Sequence, residues 1–329
     1  MRLDGEISGT NRLRATAAIR SLLHRPLMRP SDLVMPLLVR QEPTTSTSGV
    51  HLPTVALEDV PREAREIDRL GIRTVKLFAD SHQKDLRASE TTNPDNLMAN
   101  ALKALKDSVP DLSVITETCL CPYTETGHCA LLKSDGTVDL KETYAVLCEA
   151  AVLQAHAGAD VVGPAGMVDG SIEVVRDALD SAGFGDVDVM PHIIFNSCLY
   201  GPYRHAMRAQ PRNGDRRAFQ VDPSQPRQAI DQAKRFVAEG ADAILLEPAL
   251  PYVDVLVTLR SVVRCPIGAF SASGEHQILT QGAEDGFPNK EDVILEFLIS
   301  LKRAGADLVF SYAAKRLASH LSSPSSRPY

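Results

Sequence analysis

Tryptophan is missing from this 329-residue chain, and all aromatic residues together make up only 5% of it. Lysine is also scarce: 10 of the 35 basic residues are lysine and 25 are arginine. No apolar run approaches the roughly 18–20 residues that span a bilayer, so a membrane role is not expected. There is no excess of positive charge. The formal net charge is −7, which argues against nucleic-acid binding, because phosphate contacts need a basic surface. No G-x-G-x-x-G follows the first apolar strand, which lowers the case for an open dinucleotide-binding sheet.

What is present is the composition expected of a soluble, enzyme-sized globular protein, 44% hydrophobic and 23% charged, with ample chain for a large core. Charged residues Arg2, Asp4, Glu6, Arg12 and Arg14 near the start give no sign of a secretory leader, so a cytoplasmic location is expected. The six cysteines are then expected to be reduced.

A phrase recurs along the chain. A helical pattern ends in a small-Gly-Ala-Asp turn and an apolar β-branched run follows: at Gly158-Ala159-Asp160, Gly240-Ala241-Asp242 and Gly305-Ala306-Asp307, with a looser copy at Gly71. Glycine ends the helix and the run reads as a parallel strand buried on both faces. Adding the runs at 33–39, 112–120, 187–195 and 265–273 gives eight strands. Helical patterns at 139–157, 171–182, 225–239 and 290–304 fall between them. Eight strand–helix units predict a (β/α)₈ TIM barrel, closed so that no edge strand is left. Residues 1–30 precede it as an Arg-rich N-terminal arm or tail, residues 31–318 form the barrel, and the Ser/Pro-rich segment 319–329 is expected to be disordered.

Barrel sites lie at the carboxyl ends of strands. There the third strand runs into TETCLCPYTETGHC, where Cys119, Cys121 and Cys129 can converge on one ion. Three thiolates with an open fourth position suit Zn²⁺. His128 is a fourth ligand or an outer partner, and Cys148, Cys198 and Cys265 are expected to be small buried hydrophobes. After the fifth strand, Arg204, Arg208, Arg212, Arg216 and Arg217 crowd near Tyr200, Tyr203 and Gln220. Guanidinium forks bind carboxylates bidentately, so this loop reads either as a clamp on an anionic substrate or as a solvated patch.

The ordered set TETCLCPYTETGHC, GPAGMVDG, YGPYRHA, GDRRAFQVDP, EPALPYVD, SASGEH and SYAA resembles the porphobilinogen synthase (5-aminolevulinate dehydratase) family from Arg12 to Tyr312. The resemblance implies a TIM barrel with an N-terminal arm, commonly assembled as a homo-octamer. It also implies condensation of two 5-aminolevulinate molecules to porphobilinogen. It assigns Cys119, Cys121 and Cys129 to catalytic zinc and leaves room for a second, allosteric divalent metal. Arg204, Arg216, Gln220, Ser273 and Tyr312 fall on positions that grip substrate carboxylates, and Asp169 keeps an aspartate of the strand-four motif.

Other positions depart from the family pattern. Its two Schiff-base lysines fall on Ile194 and Glu247, and family aspartates fall on Gly166 and Glu117; His276 replaces a tyrosine. A Schiff base needs an amine, which neither isoleucine nor glutamate supplies. Lys76, the one lysine within a predicted barrel strand, could point inward with a lowered pKa, but the expectation is that it points outward and snorkels. The leading expectation is therefore a divergent zinc enzyme for a small-molecule carboxylate, an amino or keto acid like 5-aminolevulinate, with Glu247, Glu117 and Asp169 as catalytic carboxylates. A non-catalytic ligand-binding paralogue and an ordinary porphobilinogen synthase with a relocated lysine are the alternatives.

Overall fold

Apolar residues on both faces of each strand, separated by glycine-ended helices, dictate the architecture. The computed structural model describes residues 11–24, 28–41, 52–80, 83–212, 214–283, 287 and 289–323. Its strands are β1 (Leu33–Arg40), β2 (Thr54–Ala56), β3 (Thr74–Ala79), β4 (Ser113–Thr118), β5 (Val161–Pro164), β6 (Asp188–Val189), β7 (His192–Ile194), β8 (Ile244–Glu247), β9 (Ile267–Ser271) and β10 (Leu308–Ser311). All pairings are parallel, in the order β6-β5-β4-β3-β1-β10-β9-β8-β7, with β2 set beside β1. β6 and β7 are halves of one strand interrupted at Met190-Pro191. Met190 N–H donates to Val162 O at 2.9 Å, and Leu245 N–H donates to Pro191 O at 3.0 Å, so the split strand joins β5 to β8 and closes an eight-stranded TIM barrel.

Helices Leu140–His156, Ser171–Ser181, Pro226–Ala238 and Lys290–Ala304 stand where the apolar periodicity predicts them. The repeated turn has a second job besides ending the helix. Its aspartate accepts from a backbone N–H at the first or second residue of a neighbouring strand: Asp160 accepts from Val114 at 2.7 Å, Asp242 from Val189 at 2.8 Å and Asp307 from Ile267 at 2.8 Å. Each turn thereby ties two strands together at the amino end of the barrel, opposite the site.

Strand alternation sorts side chains into two cores. Leu33, Met35, Leu37, Val39, Val75, Leu77, Val114, Ile193, Leu246 and Val309 face the helices. Val34, Leu38, Phe78, Ile115, Ile194, Leu245, Phe270 and Phe310 fill the interior. Lys76 shares the interior parity of Phe78 and is 0% exposed, so the expectation that it points outward is overturned. The register that puts Val75 and Leu77 against the helices leaves Lys76 no other direction.

The arm carries a short helix, Ala17–Leu23, capped by Thr16, and none of its residues is buried. The carboxyl-terminal helix Ala314–Leu321 continues past 318, so the barrel unit extends beyond the boundary read from the sequence; residues 324–329 lie outside the described residues. No helix among the described residues is long and apolar enough to cross a membrane.

The helix after β9, Ser273–Gly282, is held at its start by Glu275, which accepts from the backbone N–H of Ala272 and, at 2.7 Å, from that of Leu250. Burial pushes Glu275 up from 4.5 to about 8. A carboxyl whose folded pKa is raised stabilises fully below its unfolded value and loses that contribution as pH rises through the folded one. Unfolding of the native protein is therefore expected to become easier between about pH 5 and pH 9. Glu275→Gln, which removes the titrating group and keeps one of its two acceptor oxygens, is expected to flatten that slope in denaturant titrations. Parallel slopes for the two proteins would contradict this role.

Candidate active site

Interior-facing residues at the carboxyl ends of the strands converge on one narrow, largely apolar cavity. Glu117 comes from β4, Ile194 from β7 and Glu247 from β8; Ser273 and Tyr312 follow β9 and β10. Tyr200, Tyr203, Arg204, Arg216 and Gln220 form its roof.

Along β4 and the turn beyond it, the same parity that buries Ile115 and Glu117 carries Cys119 and Cys121 inward, and the loop folds back to add Cys129. The three Sγ atoms lie within 4.8 Å of one another, and the Cys119 thiol meets that of Cys121 at 3.4 Å. Two sulfurs bound to one tetrahedral zinc at about 2.3 Å each would sit roughly 3.8 Å apart, so the donor set and spacing fit that ion. Hydrogen bonds from Cys119 and Cys121, helped by Arg216, hold Cys129 well below the usual thiol range, giving one thiolate of the kind a metal needs. Contacts within the triad and burial push Cys119 up and Cys121 up to about 11, and these thiols would give up their protons on binding the ion. His128 is buried but stands outside the ligand set. Among the described residues no second cluster of this kind occurs. Cys198 is exposed and Cys148 and Cys265 are half-buried, so the expectation of buried hydrophobes fails, most completely for Cys198.

Gly166 explains how the loop bearing Cys129 comes so close. A Cβ at Gly166 would lie 3.3 Å from Cys129 O and 3.5 Å from its Cβ. The aspartate that the family pattern implies there would press directly on the thiol loop.

Carboxylates sit beside the thiols. Ile194 and Glu247, the two positions where the family pattern implies lysines, are register partners on β7 and β8, and no lysine lines the cavity among the described residues. Burial raises the Glu247 carboxyl from 4.5 to about 7, and burial also raises Glu117. Beneath them lies Lys76. Its Nζ donates to Thr116 O at 2.6 Å, faces Glu117 Oε2 at 2.9 Å and meets His192 Nε2 at 3.0 Å. His192 Nδ1 in turn lies 2.9 Å from Glu247 Oε1. Sequence reasoning missed His192, which shares the interior parity of Ile194 two residues on; that spacing was the available signal.

The roof is basic and aromatic. Arg216 is buried and anchored by the carbonyls of Gly127, at 2.7 Å, and Ala209. The Arg204 guanidinium lies 5.2 Å from the Tyr200 ring centroid, and its Nη2 reaches Gln220 Oε1 at 3.5 Å. The Nε atoms of both arginines and the Tyr200 and Tyr203 hydroxyls are buried without a hydrogen-bond partner, which leaves polar capacity for a ligand. Tyr312 packs on Phe270 and His276, with ring centroids 5.7 and 5.6 Å away. Ser273 Oγ is engaged within the protein, accepting from Tyr203 N–H at 3.0 Å and donating to Leu199 O at 3.2 Å. It fastens the roof to β9. Asp169 is not brought to the cavity; it is exposed on the outside, 2.6 Å from Arg235.

The barrel thus gathers a thiol triad that could hold a metal ion, two acids and two arginines around one strand-end cavity. A family model for delta-aminolevulinic acid dehydratase matches residues 8–320, and the chain belongs to that family. It is 37% identical to delta-aminolevulinic acid dehydratase of Halalkalibacterium halodurans, over 93% of this chain and 94% of that one. With the Escherichia coli enzyme of the same name it shares 38% identity, over 95% of this chain and 97% of that one. The crystal structure of the Toxoplasma gondii ME49 enzyme in complex with its reaction product porphobilinogen superposes with a TM-score of 0.88 at 35% identity, covering 95% of this chain and 91% of that one.

Purified protein is expected to carry about one zinc per chain after dialysis, since a three-thiolate site holds one ion. Cys129→Ala should lose most of it and Cys198→Ala should keep it, read by elemental analysis. Full retention in Cys129→Ala would remove the thiol triad as the ligand set.

Proposed function

We propose that the chain condenses two molecules of 5-aminolevulinate with loss of water in the strand-end cavity. One observation carries this reading: a buried thiol triad, two carboxyl groups and two arginines with unspent hydrogen-bonding capacity line the same cavity. The relatives' names support the same activity, two 5-aminolevulinate molecules condensing to porphobilinogen with loss of water.

Cys119, Cys121 and Cys129 would hold Zn²⁺, which when bound acts as a Lewis acid toward a carbonyl or water oxygen. Arg204 and Arg216 receive the substrate carboxylate through their free N–H groups, with Gln220 steadying Arg204. Tyr312 closes the opposite wall. Glu247, with a pKa near neutrality, takes a proton from the carbon beside the carbonyl of one molecule; that carbon adds to the carbonyl carbon of the second, and Glu247 returns the proton to the new alkoxide. Removal of the next proton from the same carbon and its delivery to that hydroxyl releases water and leaves a carbon–carbon double bond. Glu117 sets the charge beneath the site by pairing with Lys76. The aromatic and apolar walls, Phe78, Phe270 and Ile194, keep bulk water out.

A second reading, a related amino-keto acid in place of 5-aminolevulinate, is favoured by one observation: Ile194 and Glu247 stand together on β7 and β8, and no lysine reaches the cavity wall among the described residues. The exposed Leu13, Leu22 and Leu23 of the arm support a homo-oligomer in which a second copy covers the arm, an octamer by family likeness. Unpaired thiols fit a cytoplasmic setting.

Zinc-loaded protein incubated with 5-aminolevulinate is expected to form a pyrrole detectable by its colour reaction. Turnover should rise with pH through about 7 as Glu247 ionises. Glu247→Gln should lower it by about 10²- to 10⁴-fold and abolish that limb. Pyrrole formation undiminished in Glu247→Gln would refute the acid–base assignment. No pyrrole, with water loss from a related amino-keto acid, would select the second reading.

A further inference from the structure

We propose that Lys76, His192 and Glu247 form a directional hydrogen-bond relay, in which the lysine fixes the tautomer of the imidazole and the imidazole fixes which oxygen of Glu247 meets the ligand. Lys76 and His192 are then positioning residues, and Lys76 is not a nucleophile. The proposal rests on the reading above only in giving Glu247 a proton to move.

The direction follows from donor and acceptor inventory. Lys76 Nζ donates to Thr116 O at 2.6 Å and forms an ion pair with Glu117 Oε2 at 2.9 Å; neither oxygen can donate to it. An ammonium beside that carboxylate has a third N–H and no lone pair, and its third neighbour is His192 Nε2 at 3.0 Å. Nε2 must therefore accept. Burial and the adjacent Lys76 hold His192 down to about 3, so the ring is neutral and carries a single proton, which belongs to Nδ1. That Nδ1–H donates to Glu247 Oε1 at 2.9 Å. Oε1 is thereby engaged, and Oε2 is the oxygen left for the cavity that Glu247 lines.

The barrel is built around this chain of contacts. Gly163, on β5 beside Glu117 in register, has no side chain where one would be fatal to it. A Cβ there would stand 2.5 Å from Lys76 Nζ, 2.6 Å from Thr116 O and 3.2 Å from His192 Nε2. Lys76 fills the space of a missing side chain, and its apolar stem lies along the interior with Nζ 5.5 Å from the Phe78 ring centroid. Nζ is wholly buried, does not line the cavity and has the Glu117 carboxylate against it.

The test is the tautomer of His192 in full-length protein labelled with ¹⁵N at histidine, its signals identified by their loss in His192→Gln. The expected result is a protonated, pyrrole-type Nδ1 and an unprotonated, pyridine-type Nε2, both unshifted from neutral pH down to about pH 5 because the ring stays neutral. Lys76→Met should remove the pyridine-type Nε2 signal as the proton redistributes. Lys76→Arg, which still donates, should retain it.

Should Lys76→Met not fold, the native protein decides alone: a protonated Nε2 with bare Nδ1, or an imidazolium at neutral pH, overturns the relay. In folded variants, kcat with 5-aminolevulinate is expected to fall about 10- to 100-fold in Lys76→Met, as outer-sphere partners of a reacting group do, with KM little changed and partial rescue in Lys76→Arg. An unchanged kcat in Lys76→Met also overturns the relay. The predicted tautomer in protein that forms no pyrrole supports the relay and counts against the reaction assigned above.

Discussion

A single amino group, that of Lys76, sets the terms for the interior of this barrel. A lone charge moved from water into a protein interior costs several kcal/mol even after relaxation, so a lysine at zero exposure has to be surrounded by acceptors. Thr116 O and Glu117, both on β4, and His192, on β7, supply them. Removing either member of such a buried pair leaves the other uncompensated, which costs about 3–5 kcal/mol. Glycine at 163 and the inward turn of Glu117 and His192 are consequences of seating that amine. Glu247 reaches it through the imidazole.

The same strands carry two chemistries without mixing them. On β4, Glu117 faces Lys76 below while Cys119 and Cys121, two and four residues on, face the cavity above. Arg216 lies over the thiols and favours the ionised form of Cys129; Lys76 lies under the acids. Positive charge thus brackets the cavity from roof and floor, and the thiols, acids and ligand space occupy the layer between. Where the family pattern places lysine amines in that layer, this chain has Ile194 and Glu247, with its interior lysine one layer deeper.

Much of this was legible in the sequence, and the reasons are specific. The Gly-Ala-Asp turns marked the barrel because a helix end, a left-handed glycine and a strand-tying aspartate are local requirements that repeat with the fold. The cysteines were legible because three thiols within eleven residues at a strand end are close enough in the chain for one short loop to bring them onto a single ion. Orientation was harder. Whether Lys76 pointed in or out depended on the register of β3 against β1 and β4, a long-range property that alternation within one strand leaves open by a single residue. The parity of His192 with Ile194 hints at an inward side chain, but its role is hidden because its partners sit 116 and 55 residues away in sequence. Asp169 was misjudged because its strand ends at Pro164, after which the chain turns outward to Arg235. Ser273 was placed in the right layer but its hydroxyl is already committed to the roof.

The central claim is that Lys76 holds the acid chemistry in place from below and does not itself react with the carbonyl of the substrate. Incubating the zinc-loaded protein with 5-aminolevulinate in the presence of borohydride, and then weighing the intact chain and its peptides by mass spectrometry, tests this most directly. The account predicts an unmodified chain and an unmodified Lys76 peptide. A reduced substrate adduct on Lys76 would contradict it.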